Sequence, residues 1–128
     1  MLPWVPGLNF PSLREALRNQ WAVVLEVFGT GNMPLNDADH GILVDYMAEG
    51  GMVFVRSQVR RGRTELGAYA PGKQLQKAGF REGRDMTREA MVTKLMVLKG
   101  LGLERGELLQ RMGQSLVGEI SEPGDALL

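Results

Sequence analysis

The chain has 128 residues, of which 44% are hydrophobic and 23% charged, a composition typical of one globular domain. Fifteen basic residues balance fifteen acidic ones, so charge gives no reason to expect nucleic acid or a membrane surface as a partner. The absence of cysteine excludes disulfides and thiolate metal sites and fits a reducing compartment. No apolar run approaches the roughly 20 residues of a membrane helix, and no signal peptide is visible.

The first third of the chain predicts two strands with a helix between them. Leu2 to Gly7 resembles the end of a strand that runs into a Pro-Gly turn. Ser12 and Glu15 have the spacing of a capping box, which predicts a short helix from Ser12 to about Asn19. Residues 21–28 form a nearly continuous apolar, β-branched run, and such a run predicts a strand buried on both faces.

The rest of the chain predicts one more strand and several helices. A helix capped by Asn36 or Asp37 ends at Gly50-Gly51, and a buried strand follows at Met52–Val55. A polar, basic loop then runs from Arg56 to about Leu66. Three further helices are expected at about 70–78, from Thr87 as N-cap through Leu98, and at 104–112, followed by an extended piece at 116–120.

The alternation of buried strands with helices predicts an α/β fold. We expect a small parallel sheet flanked by helices on both faces, in one domain that spans residues 1–128. Such sheets bind ligands beyond the carboxyl ends of their strands. The turn Gly29-Thr30-Gly31-Asn32 lies at such an end, but Pro34 interrupts the dinucleotide fingerprint. We therefore interpret it as a turn that backbone geometry requires, with a nucleotide site as the weaker alternative.

The side chains offer little chemistry of their own. His40 is the only histidine, so neither a metal site nor a His-based triad is expected, and no cofactor is predicted. Thr93 and Lys94 are neighbours on a helix and point in different directions, so they do not form an activated nucleophile. Four arginines follow the predicted strand Met52–Val55, and we interpret them as a solvated loop or as one that pairs with a partner's carboxylates: Arg56, Arg60, Arg61 and Arg63.

Several collinear segments resemble the C-terminal domain of type I (cytoplasmic-type) L-asparaginases. The match covers essentially the whole chain, and its most recognisable string is Gly83-x-Asp85-Met86-Thr87-x-Glu89-Ala90-x-x-Thr93-Lys94-Leu95. The other matching segments are Val24–Pro34, Ser57-Gln58 with Gly62, Tyr69-Ala70-x-Gly72, and Leu116-x-Gly118-Glu119. Pro34 resembles the type I branch, since periplasmic-type members have a site asparagine there.

The resemblance implies a flavodoxin-like, three-layer C-terminal domain of an enzyme that hydrolyses L-asparagine to L-aspartate and ammonia in the cytoplasm. The nucleophilic threonines of this family belong to an N-terminal domain, and no segment here resembles their motifs. We therefore expect no catalytic residue in this chain and no activity from the chain alone. The implied partners are the N-terminal domain, L-asparagine and further copies, in a homodimer or a dimer of dimers.

The resemblance also implies a contribution to a neighbouring protomer's active site. Tyr69 falls on the position of a tyrosine that approaches the substrate, and its phenol could donate to a carboxylate or carbonyl. A tyrosine that simply packs at an interface is the alternative. Asn32 and Thr64 are weaker candidates for lining or shaping the same site. Glu26 and the loop Val59-Arg60-Arg61 lie at positions that some type I enzymes use for allosteric asparagine binding, but the residue types do not match, so feedback control is not predicted.

Two other functions remain open from the sequence. The asparaginase-like subunit of archaeal glutamyl-tRNA amidotransferase shares this domain and would carry an extra N-terminal barrel. A stand-alone, non-catalytic binding module is the second alternative, and it predicts a monomer with a complete surface.

Overall fold

Four short strands and five α-helices make up the part of the chain that the computed structural model describes, residues 2–3, 10–28, 36–58, 64, 66–68 and 70–124. The strands are β1 (Leu2–Pro3), β2 (Ala22–Val27), β3 (Met52–Ser57) and β4 (Arg81–Glu82). The α-helices are α1 (Phe10–Arg18), α2 (Asp37–Ala48), α3 (Ala70–Lys77), α4 (Arg88–Gly100) and α5 (Arg105–Met112), and a 3₁₀-helix covers Leu66–Ala68. Within these residues no helix is long and apolar enough to cross a membrane.

The strands form one parallel sheet in the order β1-β2-β3-β4. Each strand is joined to the next by a segment that contains one α-helix, first α1, then α2, then α3. Right-handed crossovers that all advance in the same direction place their helices on the same face of the sheet. The other face is left for the helices that follow β4, namely α4 and α5.

Side chains of β2 and β3 alternate between two separate cores. Leu25 and Val55 point to one face, where they pack with the buried residues of α1, α2 and α3. Val24 and Phe54 point to the other face, where they pack with the buried residues of α4 and α5. The predicted α/β architecture, a small parallel sheet covered by helices on both faces, is therefore confirmed.

The helix caps follow from residue chemistry. The side chain of Asn36 accepts a hydrogen bond from the Asp39 backbone N–H at 2.8 Å, and Thr87 accepts one from the Ala90 N–H at 3.1 Å. Both satisfy a backbone donor that has no partner inside the helix. The predicted starts of α2 and α4 are confirmed.

Some local predictions are wrong. Helix α1 begins at Phe10, so Ser12 lies inside the helix and is not its N-cap. Pro11 explains the earlier start, because proline suits the first turn of a helix. Residues 116–120 do not form a strand, and Ile120 is buried beneath α4 and α5. The two-residue edge strand β4 was not predicted, since it is too short to show a pattern.

Candidate functional site at the carboxyl edge of the sheet

An ion cluster around the buried Glu26 carboxylate lies at the carboxyl ends of β2 and β3. The parallel register places Glu26 beside Arg56, and the Arg56 Nη1 lies 2.6 Å from Glu26 Oε1. Arg88, the first residue of α4, is the third member of the cluster and binds the same carboxylate. Its Nε lies 2.8 Å from Glu26 Oε1 and its Nη2 lies 2.7 Å from Oε2. One carboxylate thus joins β2, β3 and α4.

The charges of this cluster do not cancel. Glu26 is only 1% exposed and carries one negative charge against the two positive charges of Arg56 and Arg88. Hydrogen bonds from Arg88 are the main cause that lowers the pKa of the Glu26 carboxyl; burial opposes them and Arg56 adds to the lowering. The Nε of Arg56 is buried and has no hydrogen-bond partner among the described residues.

The placement of Arg56 corrects the sequence interpretation. We predicted that β3 ends at Val55 and that Arg56 opens a basic loop, but β3 continues to Ser57 and Arg56 is buried. A buried arginine is tolerated here because Glu26 neutralises it from the neighbouring strand. The sequence contains a pattern that could have predicted this pair, because Glu26 and Arg56 are opposite charges at matching positions of two otherwise apolar strands.

Two residues that follow β3, Thr64 and Leu66, are hydrogen-bonded to β3 and to the region of β4. Thr64 is fully buried; its Oγ1 accepts a hydrogen bond from the Ser57 N–H at 2.8 Å, and its own N–H donates to the Arg84 carbonyl at 2.9 Å. Two residues later the Leu66 N–H donates to Glu82 Oε2 at 2.9 Å. Thr64 therefore acts in the structure as a link between β3 and the turn after β4.

The start of α3 packs tightly against the same segment. A Cβ built on Gly72 would lie 1.9 Å from the carbonyl oxygen of Leu66, so only glycine fits at this contact. Leu66 itself is 1% exposed and belongs to the core beneath α1, α2 and α3. The described residues on both sides of position 69 are thus held in place.

Two of the three predicted site residues, Tyr69 and Asn32, lie outside the described residues. The Gly29-Thr30-Gly31-Asn32 turn lies there as well, and so do Arg60, Arg61 and Arg63 of the predicted basic loop. Thr64 is described and is occupied by backbone hydrogen bonds. The predicted substrate contacts therefore stay expectations.

The described residues do not bring a nucleophile and a base together. The Thr87 hydroxyl caps α4, and Thr93 is exposed while the adjacent Lys94 is buried, as expected for neighbours on a helix. The ring of His40 lies parallel to that of Phe80, with centroids 6.0 Å apart, on the face of the sheet that carries α2. Chemistry at this edge would need groups from outside the residues that the structure describes.

A second buried ion pair fixes the segment that follows α5. The Nζ of Lys94 lies 2.5 Å from Glu119 Oε1, and both side chains are over nine-tenths buried. Glu119 also accepts hydrogen bonds from the backbone N–H groups of Leu116 and Val117 at 3.0 and 2.8 Å. Lys94 donates in addition to the carbonyl of Gln114. Lys94 thus anchors the loop of residues 113–121 to α4.

The sequence and the fold match a known domain. The family model of the glutaminase/asparaginase C-terminal domain matches residues 1–112. The chain therefore belongs to the glutaminase/asparaginase family, as the resemblance in its sequence indicated.

The relatives give the family context in more detail. L-asparaginase 1 of Escherichia coli is 35% identical over 117 residues, which are 91% of this chain and 35% of that enzyme. The solved structure of L-asparaginase I from Vibrio cholerae superimposes with a TM-score of 0.86 at 33% identity, over 94% of this chain and 37% of that one. One subunit of the glutamyl-tRNA(Gln) amidotransferase from Thermoplasma acidophilum is 32% identical over 78% of this chain and 24% of its own length. This chain spans about a third of the length of these two asparaginases.

Proposed function

We propose that this chain is the C-terminal domain, residues 1–128, of a cytoplasmic-type L-asparaginase, which hydrolyses L-asparagine with water to L-aspartate and ammonia. The observation that carries the proposal is the family match over residues 1–112. Relatives that are named L-asparaginase add to it, and this chain spans about a third of the length of two of them. In this proposal the catalytic threonines come from an N-terminal domain. The chain has a structural, dimer-forming role and helps to complete a neighbouring protomer's active site.

The proposed contribution to that site is Tyr69, which would hydrogen-bond a polar group of the bound substrate through its phenol. Support comes from the segments on either side of it. Thr64 and Leu66 are fastened to β3 and β4, and Gly72 packs directly on the Leu66 carbonyl. Anchored flanking segments of this kind reduce the entropy that a substrate-binding side chain between them loses on binding. Asn32 would shape the same site, and Thr64 would act through its backbone contacts.

Ammonia release from L-asparagine tests the proposal. The chain alone is expected to be inactive, and activity is expected when it is co-expressed with the N-terminal domain of Escherichia coli L-asparaginase 1. The positive control is that N-terminal domain with its own C-terminal domain. In the active mixture Tyr69→Phe should lower kcat/KM at least tenfold, a loss of about 1.4 kcal/mol of transition-state stabilisation. Turnover by the chain alone would contradict the proposal.

A second candidate function is supported by the amidotransferase relative. In that case the chain would be part of a subunit that supplies ammonia to a tRNA-bound substrate. Ammonia release that depends on charged tRNA and a partner subunit, with little free asparaginase activity, would favour it. A stand-alone binding module would be favoured if the chain stayed inactive with the N-terminal domain while the positive control worked.

A further inference from the structure

A cavity of about 390 Å³ opens at the amino ends of β3 and β4, the sheet edge opposite the Glu26 cluster. Its size lies within the range of roughly 300–1,000 Å³ that is typical of small-molecule sites. Most of the side chains that line it are apolar, and they include Met47 of α2, Met52 of β3 and Leu109 of α5. We call this space the amino-edge cavity. Its lining suits the hydrocarbon part of a ligand.

The charged residues that line the amino-edge cavity are both basic, as far as the structure describes the chain. They are Arg81, the first residue of β4, and Arg105, the first residue of α5. Helices α2 and α3 end at the cavity and bring partial negative charges of roughly half a unit each, whereas α5 begins there with a partial positive charge. The two full guanidinium charges outweigh these partial charges, so the cavity favours an anion.

The two guanidinium groups differ in how far they are already occupied. Arg105 donates to the carbonyl oxygens of Gly50 and Gly51, just after the end of α2, the second of these bonds at 3.0 Å. The Arg81 guanidinium has no hydrogen-bond or ion-pair partner among the residues that the structure describes. A free guanidinium can bind both oxygens of a carboxylate at once. One free guanidinium beside an apolar lining therefore matches a ligand with one carboxylate and a hydrocarbon chain.

We propose that the amino-edge cavity binds a small carboxylate with a short aliphatic chain. The carboxylate would pair with Arg81, and the chain would lie against the apolar lining that includes Met47 and Leu109. A carboxylate matches the single charge of one free guanidinium, whereas a phosphate group would bring a charge of about −1.5 to −2. Arg105 would hold the turn after α2 in place and so fix one wall of the cavity. The inference does not rest on the proposed asparaginase function, because its test measures binding alone.

Isothermal titration calorimetry of the unmodified chain with octanoate is the first test. We expect a Kd of about 1 mM or tighter. Octan-1-ol lacks the charge and acetate lacks the chain, so each should bind at least about tenfold more weakly than octanoate. No binding of octanoate up to about 10 mM would overturn the proposal, as would octan-1-ol or acetate binding as tightly as octanoate.

Two pairs of variants place the bound octanoate. Arg81→Gln should weaken binding at least about tenfold, and its control Lys73→Gln, which removes an exposed cation of α3 outside the cavity, should change it by less than about twofold. Ala48→Phe fills the cavity from an exposed position and should also weaken binding, whereas Ala38→Phe, exposed near the other end of α2, should not.

Circular dichroism checks that each variant is folded. Binding that either Arg81→Gln or Ala48→Phe leaves unchanged would overturn the proposal. If octanoate does not bind and the same two variants alter self-association in sedimentation equilibrium, the cavity would belong to a contact between copies of the chain, which also overturns it.

Discussion

The Glu26 carboxylate and the Arg88 guanidinium form a two-point ion pair, at 2.8 and 2.7 Å, although 62 residues separate them in the chain. The pair fixes the N-terminal end of α4 over the ends of β2 and β3. Helix α4 supplies many of the buried residues on the face of the sheet that α4 and α5 cover. The ion pair therefore links the carboxyl edge of the sheet to the packing on that face.

Glu26→Gln is expected to destabilise the domain. The variant leaves the buried Arg56 without its neutralising charge, and breaking a buried ion pair on one side costs about 3 kcal/mol. Urea unfolding at neutral pH measures the change in the free energy of unfolding. Glu89→Gln is the control, because Glu89 is an exposed acid in the same helical turn as Arg88, and its loss should cost less than about 1 kcal/mol. Equal losses in the two variants would contradict the role given to Glu26.

The stability of the domain should fall in acid through Glu119. Burial raises the pKa of its carboxyl, but the Lys94 hydrogen bond and the N–H groups of Val117 and Leu116 outweigh burial and lower the pKa from 4.5 to about 2. A pKa that is lower in the folded state gives stability that is present above pH 4.5 and is lost as the pH falls toward 2. Full ionisation contributes about 3 kcal/mol. Glu26 acts in the same direction.

Glu119→Gln tests this pH dependence. The difference in unfolding free energy between the native chain and the variant should shrink by more than half from roughly pH 5 to pH 3, because the native chain loses the contribution that the variant lacks. Glu107→Gln, which removes a half-exposed partner of Arg111, should give a small and nearly constant difference. A difference in unfolding free energy between the native chain and Glu119→Gln that does not change with pH would show that folding does not lower the pKa of this carboxyl.

Two glycine-to-alanine changes in helices should have opposite effects. At Gly72 the new Cβ would lie 1.9 Å from the Leu66 carbonyl oxygen, and backbone cannot move aside cheaply. We expect a loss of roughly 3 kcal/mol, together with weaker complementation of asparaginase activity if the segment at position 69 shifts. At Gly41 in α2 nothing lies within 4 Å of the new Cβ, so Gly41→Ala should stabilise the domain by about 0.5–1 kcal/mol. Thermal unfolding measures the stability of both variants. A Gly72→Ala variant as stable as the native chain would show that the backbone at Leu66 moves to make room for the new Cβ.

The sequence by itself determined the α/β class, the two buried strands and most helix positions. These follow from local chemistry: β-branched apolar runs suit strands buried on both faces, and Asn36 and Thr87 satisfy free N–H groups at helix starts. The family motifs were also local strings, which is why the family could be identified from them. Tyr69 and Asn32 stay predictions, because they rest on resemblance and lie outside the described residues.

Only the tertiary structure decided which distant groups meet. The pairing of Glu26 with Arg56 and Arg88, and of Lys94 with Glu119, depends on strand register and on how α4 lies across the sheet. The energy that makes a buried arginine acceptable comes from a partner tens of residues away, so no local pattern contains it. Likewise an apolar side chain such as Val117 looks like a core residue in the sequence, and only the folded chain leaves it 90% exposed.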